Sequence, residues 1–310
     1  MKKSYRCMIF FTAICFGAKT NSPLWQKKNR SEMEGSMIEF VDVNYVYGND
    51  KAVDNVSFKI EKGKFTGIIG HTGSGKSTLI QMMNGLLKPE SGTILYDGKD
   101  IFEEGYDLRS LKFKVGLVFQ YHEYQLFEST VLRDVAYGAI NKGLAKEDAV
   151  KEAKAALEIV GINEDKYEKS PFELSGGEKK RVAIAGILAM KPEVLVLDEP
   201  AAGLDPETRI NLFEMLKRLC TSESITVVVV SHSMEDMAEY AEHIIVMDDG
   251  KLIKSGTARE VFSNAEDLEN IGLAAPEITY LMCELSKRGI PVDKTIIKTE
   301  EAIKCLETLL

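Results

Sequence analysis

Cysteine is sparse and badly spaced for cross-links or metal: Cys7, Cys15, Cys220, Cys283 and Cys305 form no CxxC pair. No disulfide framework or thiolate metal centre is expected, and reduced thiols in a cytosolic protein are the simpler reading. Excess positive charge is missing too. Asp and Glu number 48 against 39 Lys and Arg, a net charge of −9. No broad footprint for nucleic acid or anionic lipid follows from that balance. No apolar run approaches the length of about 20 residues that a membrane-spanning helix requires. Internal repeats and low-complexity stretches are also lacking. What remains is ordinary for a folded protein: 310 residues, 45% hydrophobic, enough for one elaborated α/β domain with a small appendage.

The N-terminus differs from the rest. Lys2, Lys3 and Arg6 precede the apolar run Cys7 to Phe16, and Pro23, Lys27, Lys28 and Arg30 follow in a polar stretch. The run fits the apolar part of a secretory signal, but the cleavage region is poor and Ile14-Cys15 makes a weak lipobox. An interfacial membrane anchor is a second reading. Residues 1–36 are read here as a tail, either disordered or an over-extended start with Met33 or Met37 as initiator.

From Met37 onward the pattern is that of a folded chain. Met37 to Val46 and Val56 to Ile60 alternate as strands do, with Gly48-Asn49-Asp50 as punctuation. Phe65 to Ile69 is a short apolar run, followed by a helical stretch from Lys76 to Leu87 that closes at Pro89. Residues 92–120 read as further strands turned at Asp97-Gly98. Residues 130–165 are helical in pattern, with Val150, Ala153, Leu157 and Val160 at spacings of three and four. Val194 to Leu197 and Ile225 to Val230 are uninterrupted apolar runs, as parallel strands buried on both faces require. Leu204 to Leu219 supplies a helix between them. Alternating strands and helices predict a parallel α/β sheet with right-handed crossovers. Beyond Gly256, Ser263-Asn264-Ala265-Glu266 matches a capping box opening a helix. Ile278, Leu281, Met282 and Leu285 form one stripe, stopped at Gly289-Ile290-Pro291. A last helix starts at Thr299 with Ile303, Leu306 and Leu310 on one side. These stripes are read as core, with an intersubunit surface as the alternative.

Gly70-His71-Thr72-Gly73-Ser74-Gly75-Lys76-Ser77 satisfies the phosphate-loop pattern directly after a strand and opens a helix that continues through Thr78. Glycines there let backbone N–H groups converge on phosphate oxygens, and the helix N-terminus adds partial positive charge. Lys76 is expected to neutralise β- and γ-phosphates, and the Ser77 hydroxyl to ligate Mg²⁺. Asp198 ends an apolar strand at the sheet edge where open α/β folds bind ligands, and is expected to hold the same ion. Glu199 is the candidate for polarising an attacking water. These features predict an NTPase.

Leu174-Ser175-Gly176-Gly177-Glu178, followed by Lys179-Lys180-Arg181, resembles the signature motif of ABC ATPases. Alone, Ser-Gly-Gly also suits a plain helix N-cap; its weight comes from lying between a phosphate loop and a VLVLDEP strand. Chemically it is a second anion site, a serine hydroxyl and backbone N–H groups at a helix start. In that family the signature closes over ATP held by the opposite subunit, so the resemblance implies two composite sites at a dimer interface. It also implies a Q-loop role for Gln120, as metal and water sensor, a D-loop in Ala202-Gly203-Leu204-Asp205, a switch histidine in His232, and adenine stacking on Tyr47, although Tyr45 lies close by. The implied fold is a RecA-like P-loop core with an antiparallel β subdomain over residues 37–260. A helical subdomain at about 121–185 and a C-terminal helical extension over 261–310 complete it.

The resemblance narrows further. The loop with His71, the stretch Phe119-Gln120-Tyr121 leading to Gln125-Leu126-Phe127-Glu128, Ser170-Pro171-Phe172-Glu173-Leu174 and Ala201-Ala202-Gly203-Leu204-Asp205-Pro206 look like the ATPases of energy-coupling factor transporters. The second of that family's paired paralogues is the better likeness. Such a resemblance implies a peripheral subunit on the cytoplasmic face of the membrane, paired with a second ATPase, alike or different. The pair drives a transmembrane coupling subunit and a separate substrate-capturing subunit, for vitamins or transition metals. Departures are His122-Glu123-Tyr124 where Pro-Glu-His is common, Glu178 where glutamine is frequent, and Ser231-His232-Ser233 in place of Thr-His-Asp. Competing readings are the ATPase of a conventional ABC importer, a soluble ABC ATPase acting on ribosomes or DNA, and a P-loop kinase. The kinase leaves LSGGE and His232 unexplained.

Overall fold

A computed structural model describes residues 35–309. The alternatives weighed for the N-terminal tail, and the place of Leu310, lie outside the described residues. Strands β1 (Ser36–Tyr47) and β2 (Asp50–Glu61) form an antiparallel hairpin. Strand β3 (Phe65–Gly70) then runs into the helix Lys76–Met83. Strands β4 (Ser91–Tyr96) and β5 (Lys99–Asp100) add to the hairpin in the order β2-β1-β4-β5. The second sheet takes in β6 (Val115–Val118), β7 (Val194–Asp198), β8 (Thr226–Val230), β9 (His243–Asp248) and β10 (Lys251–Thr257). Its order is β10-β9-β3-β8-β7-β6, parallel throughout except at the β9–β10 edge.

The apolar runs explain this layering. Alternate residues of each central strand face opposite sides. Leu195 and Leu197, with Val227 and Val229, join a core shared with the helices. Val194, Val196, Val228 and Val230 join a second core with the antiparallel sheet and Leu79, Ile80 and Met83 of the first helix. A strand clothed on both faces has no room for polar residues, which is why these read as unbroken apolar stretches. Helices Val131–Lys142, Lys146–Ile159 and Gly176–Leu188 stand between β6 and β7, and Pro206–Glu223 joins β7 to β8.

Three local expectations need correction. The stretch 92–120 is not all strand: Leu108–Lys114 is helical, capped by the Asp107 carboxylate accepting from the Ser110 N–H at 3.0 Å. Only Leu111 of that helix is buried, so it carried no apolar period to read. The capping box is not at Ser263-Glu266. It forms at Thr257 and Glu260 and opens the helix Ala258–Phe262, whereas Ser263 ends that helix and Asn264 precedes Ala265–Glu269 without a side-chain cap. In the last helix, Thr299–Glu307, Ala302 turns inward to Met282 and Ile296 while Ile303 is half exposed. Leu281 of Glu277–Lys287 is likewise exposed, although Ile278, Met282 and Leu285 of its stripe pack. Leu268, Leu273, Ala275 and Ile297 fasten this C-terminal region to the main helical core.

Candidate functional site

At the C-terminal ends of β3 and β7 lies a cavity of about 350 Å³ lined by Tyr47, Thr72, Gly73, Gly75, Lys76, Ser77, Thr78, Gln120, Asp198, Glu199 and His232. The sheet topology assembles it, because parallel neighbours deliver their loops to the same edge. Gly75 starts the helix with φ +95°, and a Cβ there would sit 2.3 Å from the Ala52 carbonyl oxygen. Gly73, at φ +88°, has nothing within 4 Å of where its Cβ would be, so the loop is open above it. Backbone N–H groups can therefore be approached closely by an anion. Lys76 is 6% exposed and its ammonium turns back to the Gly70 carbonyl at 2.7 Å, the His71 carbonyl at 2.5 Å and the Ser74 hydroxyl at 3.3 Å. Burial lowers its pKa, with Glu199 and Asp198 opposing. A phosphate would offer this cation stronger acceptors than carbonyls.

Across the cavity, the Ser77 hydroxyl donates to Asp198 Oδ2 at 3.1 Å. Asp198 is 8% exposed, and burial raises its pKa. Ser77, Asp198 and Gln120 present hard oxygens to one space, the donor set a Mg²⁺ ion sharing its shell with phosphates and water uses. Among the described residues no cluster of three His, Cys, Asp or Glu side chains could hold a metal unaided.

Glu199 takes a left-handed backbone, φ +49°, a conformation that costs a non-glycine residue about 1–3 kcal/mol and marks functional positions. Its Oε1 is buried with no hydrogen bond made to it, and His232 Nε2 stands 3.2 Å away. Burial pushes its carboxyl up to about 7, close to where a general base works at neutral pH. His232 is 51% exposed, and burial and Lys76 lower its pKa, which keeps the imidazole neutral. Behind it stands a network that sequence reading missed. Arg209 donates to both oxygens of Asp236 at 2.9 and 2.8 Å and to the Ser233 hydroxyl, which in turn accepts from the Asp236 N–H. Position 233 carries no carboxylate, and Asp236 one helical turn later shares Arg209 with the Ser233 hydroxyl.

Tyr47, rather than Tyr45, borders the cavity. Tyr45 packs against the core and meets the Tyr47 ring edge-on at 4.9 Å, while Tyr47 is half exposed. His71 belongs to the loop, yet its side chain faces Ile271.

Residues 175–178, expected to act as the signature, and Asp205 do not line this cavity. Ser175 and Gly176 are exposed at the start of Gly176–Leu188, and Gly176 has open space where a Cβ would stand. Glu178 closes a full capping box: the Ser175 N–H and hydroxyl both donate to Glu178 Oε2 at 2.9 Å. Paired also with Lys166, Glu178 has its pKa pulled down to about 2. Asp205 caps Pro206–Glu223 through the Thr208 N–H at 3.0 Å. Gly177 is near enough to Leu204 and Thr208 that a Cβ would touch both, and Lys180 donates to the Ala202 carbonyl at 2.8 Å, tying the start of Gly176–Leu188 to the turn before Asp205. Asp134 is a further missed residue: buried, it accepts from the Phe127 and Glu128 N–H groups at 2.8 Å and shapes the segment after Gln120.

Residues 53–202 match the family model described as ABC transporter. The energy-coupling factor transporter ATP-binding protein EcfA2 of Acetivibrio thermocellus is 49% identical over 270 residues, covering 86% of this chain and 95% of that protein. The chain belongs to the energy-coupling factor transporter ATP-binding proteins. The EcfA2 protein of Streptococcus pneumoniae strain D39 is 46% identical over 271 residues, 85% of this chain and 97% of its own. Among solved structures, cbiO1 of Clostridium perfringens, part of the ABC transporter complex cbiONQ, superposes with TM-score 0.70 at 38% identity. It covers 80% of this chain and 99% of its own. The ATP-binding cassette MJ0796, solved as a post-hydrolysis dimer with ADP and phosphate, gives TM-score 0.63 at 30% identity over 72% of this chain and 99% of its own. As a family member the chain is an ABC-type ATPase that binds ATP, with the α/β fold of that cassette. Among the described residues no helix is long and apolar enough to cross a membrane.

Proposed function

We propose that the chain is one half of a head-to-tail ATPase pair that powers an energy-coupling factor uptake transporter from the cytoplasmic face of the membrane. The observation that carries the pairing is the separation of two anion sites: a buried phosphate cradle around Lys76 and an exposed helix start at Ser175. Ser175 lies outside the lining of the cavity around Lys76, which supports its meeting a nucleotide held by another subunit. ATP binds with adenine on Tyr47 and phosphates along residues 70–78. Ser77, Asp198 and Gln120 would hold Mg²⁺, which when bound neutralises phosphate charge. The partner's signature then caps the γ-phosphate, as does His232. Glu199, with an unpartnered Oε1, orients water for in-line attack while Lys76 and the helix N-terminus stabilise charge on the transferring group.

Beside the Q-loop, Tyr121, Tyr124, Phe127 and Tyr137 expose a group of aromatic rings. Such a patch on a chain of net charge −9 supports docking to a transmembrane coupling subunit rather than to nucleic acid. A substrate-capturing membrane subunit completes the complex, and a vitamin or transition metal ion is its cargo. Mixed dimers test the pairing. With Ser175→Ala in one subunit and Glu199→Gln in the other, both changes fall in one composite site and the second site stays intact; with both changes in the same subunit, both sites are damaged. Loss of hydrolysis confined to the cavity of the Ser175→Ala chain itself would overturn the trans arrangement. Co-purification with a multispanning subunit tests the transport role.

A further inference from the structure

His71 belongs to the phosphate loop, yet its side chain does not line the cavity. Its Nε2 lies 2.6 Å from the Ile271 carbonyl oxygen, 200 positions along the chain. A carbonyl only accepts, so Nε2 carries the proton and donates. Ile271 ends a Schellman turn: the Leu273 N–H donates to the Leu268 carbonyl and the Gly272 N–H to the Glu269 carbonyl, both at 2.8 Å. Gly272 has φ +71°, and a Cβ on it would stand 3.0 Å from His71 Nε2, so the imidazole lies directly on the bare glycine. Leu268, Leu273 and Ala275 anchor this turn in the main core. The contact is therefore made by a rigid element, not by a loose tail. At the other end of the same residue, the His71 carbonyl accepts from the Lys76 ammonium at 2.5 Å.

One residue thus touches both the phosphate-binding cation and the start of the C-terminal extension. We propose that His71 is a positioning residue through which the C-terminal extension holds the phosphate loop ready and so sets its affinity for nucleotide. The inference rests on residues 70–78 being the phosphate site. A loop held before binding loses less conformational freedom on binding, so release of this contact weakens affinity rather than the chemical step. One hydrogen bond of ordinary strength corresponds to about three- to tenfold in affinity.

The test uses the full chain, a fluorescent ATP analogue for Kd, and steady-state hydrolysis. His71→Phe and Gly272→Ala should each weaken analogue binding and raise KM for ATP about three- to tenfold with kcat changed less than twofold. The double variant should be no worse than the worse single one, since both break one contact. His71→Gln, whose amide nitrogen reaches about as far as Nε2 and can donate to the Ile271 carbonyl, should restore binding to within about twofold of the parent. His71 is exposed, so its variants carry the test even if Gly272→Ala folds poorly. The proposal is overturned if His71→Phe leaves Kd unchanged, if the single effects multiply, or if His71→Gln behaves like His71→Phe. Lys76→Ala runs alongside: its failure to weaken binding sinks the phosphate-site reading itself and the proposal with it.

Discussion

Replacing Glu199 by glutamine should make the nucleotide-free protein more stable while abolishing its turnover. The carboxyl is 13% exposed, and burial raises its pKa from the ordinary 4.5 to about 7. Between those two values the folded chain binds more protons than the unfolded one, so stability falls as pH rises and levels off above about 7. At about 1.4 kcal/mol per pH unit the whole effect would be roughly 3 kcal/mol. The group borders an open cavity, and solvent screening reduces this to about 1.5 kcal/mol. Glutamine has the same shape and no charge to desolvate, so the variant avoids that cost while keeping the left-handed backbone at φ +49°. For a domain of this size the gain is a rise in Tm of roughly 2–4 °C at pH 8, vanishing near pH 4.5. Differential scanning calorimetry without nucleotide at the two pH values is the assay. A variant that melts at or below the parent temperature at pH 8 would refute the reasoning. So would a gain undiminished at pH 4.5, since it could not then come from the carboxylate. Stability and activity moving in opposite directions is the signature of a site kept unfavourable for its chemistry.

Other outcomes follow from the same geometry. With Glu199 titrating at about 7, kcat/KM should rise about fivefold from pH 6 to 7 and less than twofold from 7 to 8; a flat profile removes Glu199 as the base. Arg209→Ala strands the buried Asp236 carboxylate and should cost about 3 kcal/mol in urea unfolding, with Arg209→Ala plus Asp236→Leu recovering much of it. Asp134→Ala leaves the Phe127 and Glu128 N–H groups unpaired, a loss of about 2 kcal/mol, so amide exchange there should quicken roughly thirtyfold. Glu178→Gln should preserve the cap on Ser175 but remove the pairing with Lys166. The parent's stability declines as pH falls towards about 2, where Glu178 takes up its proton, and the variant should lack that part of the decline.

Much of the site was legible in sequence because its chemistry is local. The phosphate loop compresses glycines, Lys76 and Ser77 into one strand-to-helix turn, and the alternation that splits β7 and β8 between two cores requires the apolar runs that flagged them. What stayed hidden is pairing between distant segments. Arg209 with Asp236, Asp134 with the segment after Leu126, and His71 with Ile271 depend on tertiary approach, and each residue alone reads as a solvated polar side chain. The helix Leu108–Lys114 buries a single leucine, too little to impose a period. Ser263-x-x-Glu266 satisfies a capping pattern by spacing alone, but Ser263 is already used to end the preceding helix. The departures from family pattern show the same contrast. Ser233 looked like a lost carboxylate because a motif reads only consecutive positions; in space its hydroxyl and the Asp236 carboxylate share Arg209, which comes from the helix that Asp205 opens. The helix that Asp205 opens and the segment just after His232 are thereby joined through one half-buried ion pair, a link between residues 24 and 27 positions apart that no consecutive motif displays.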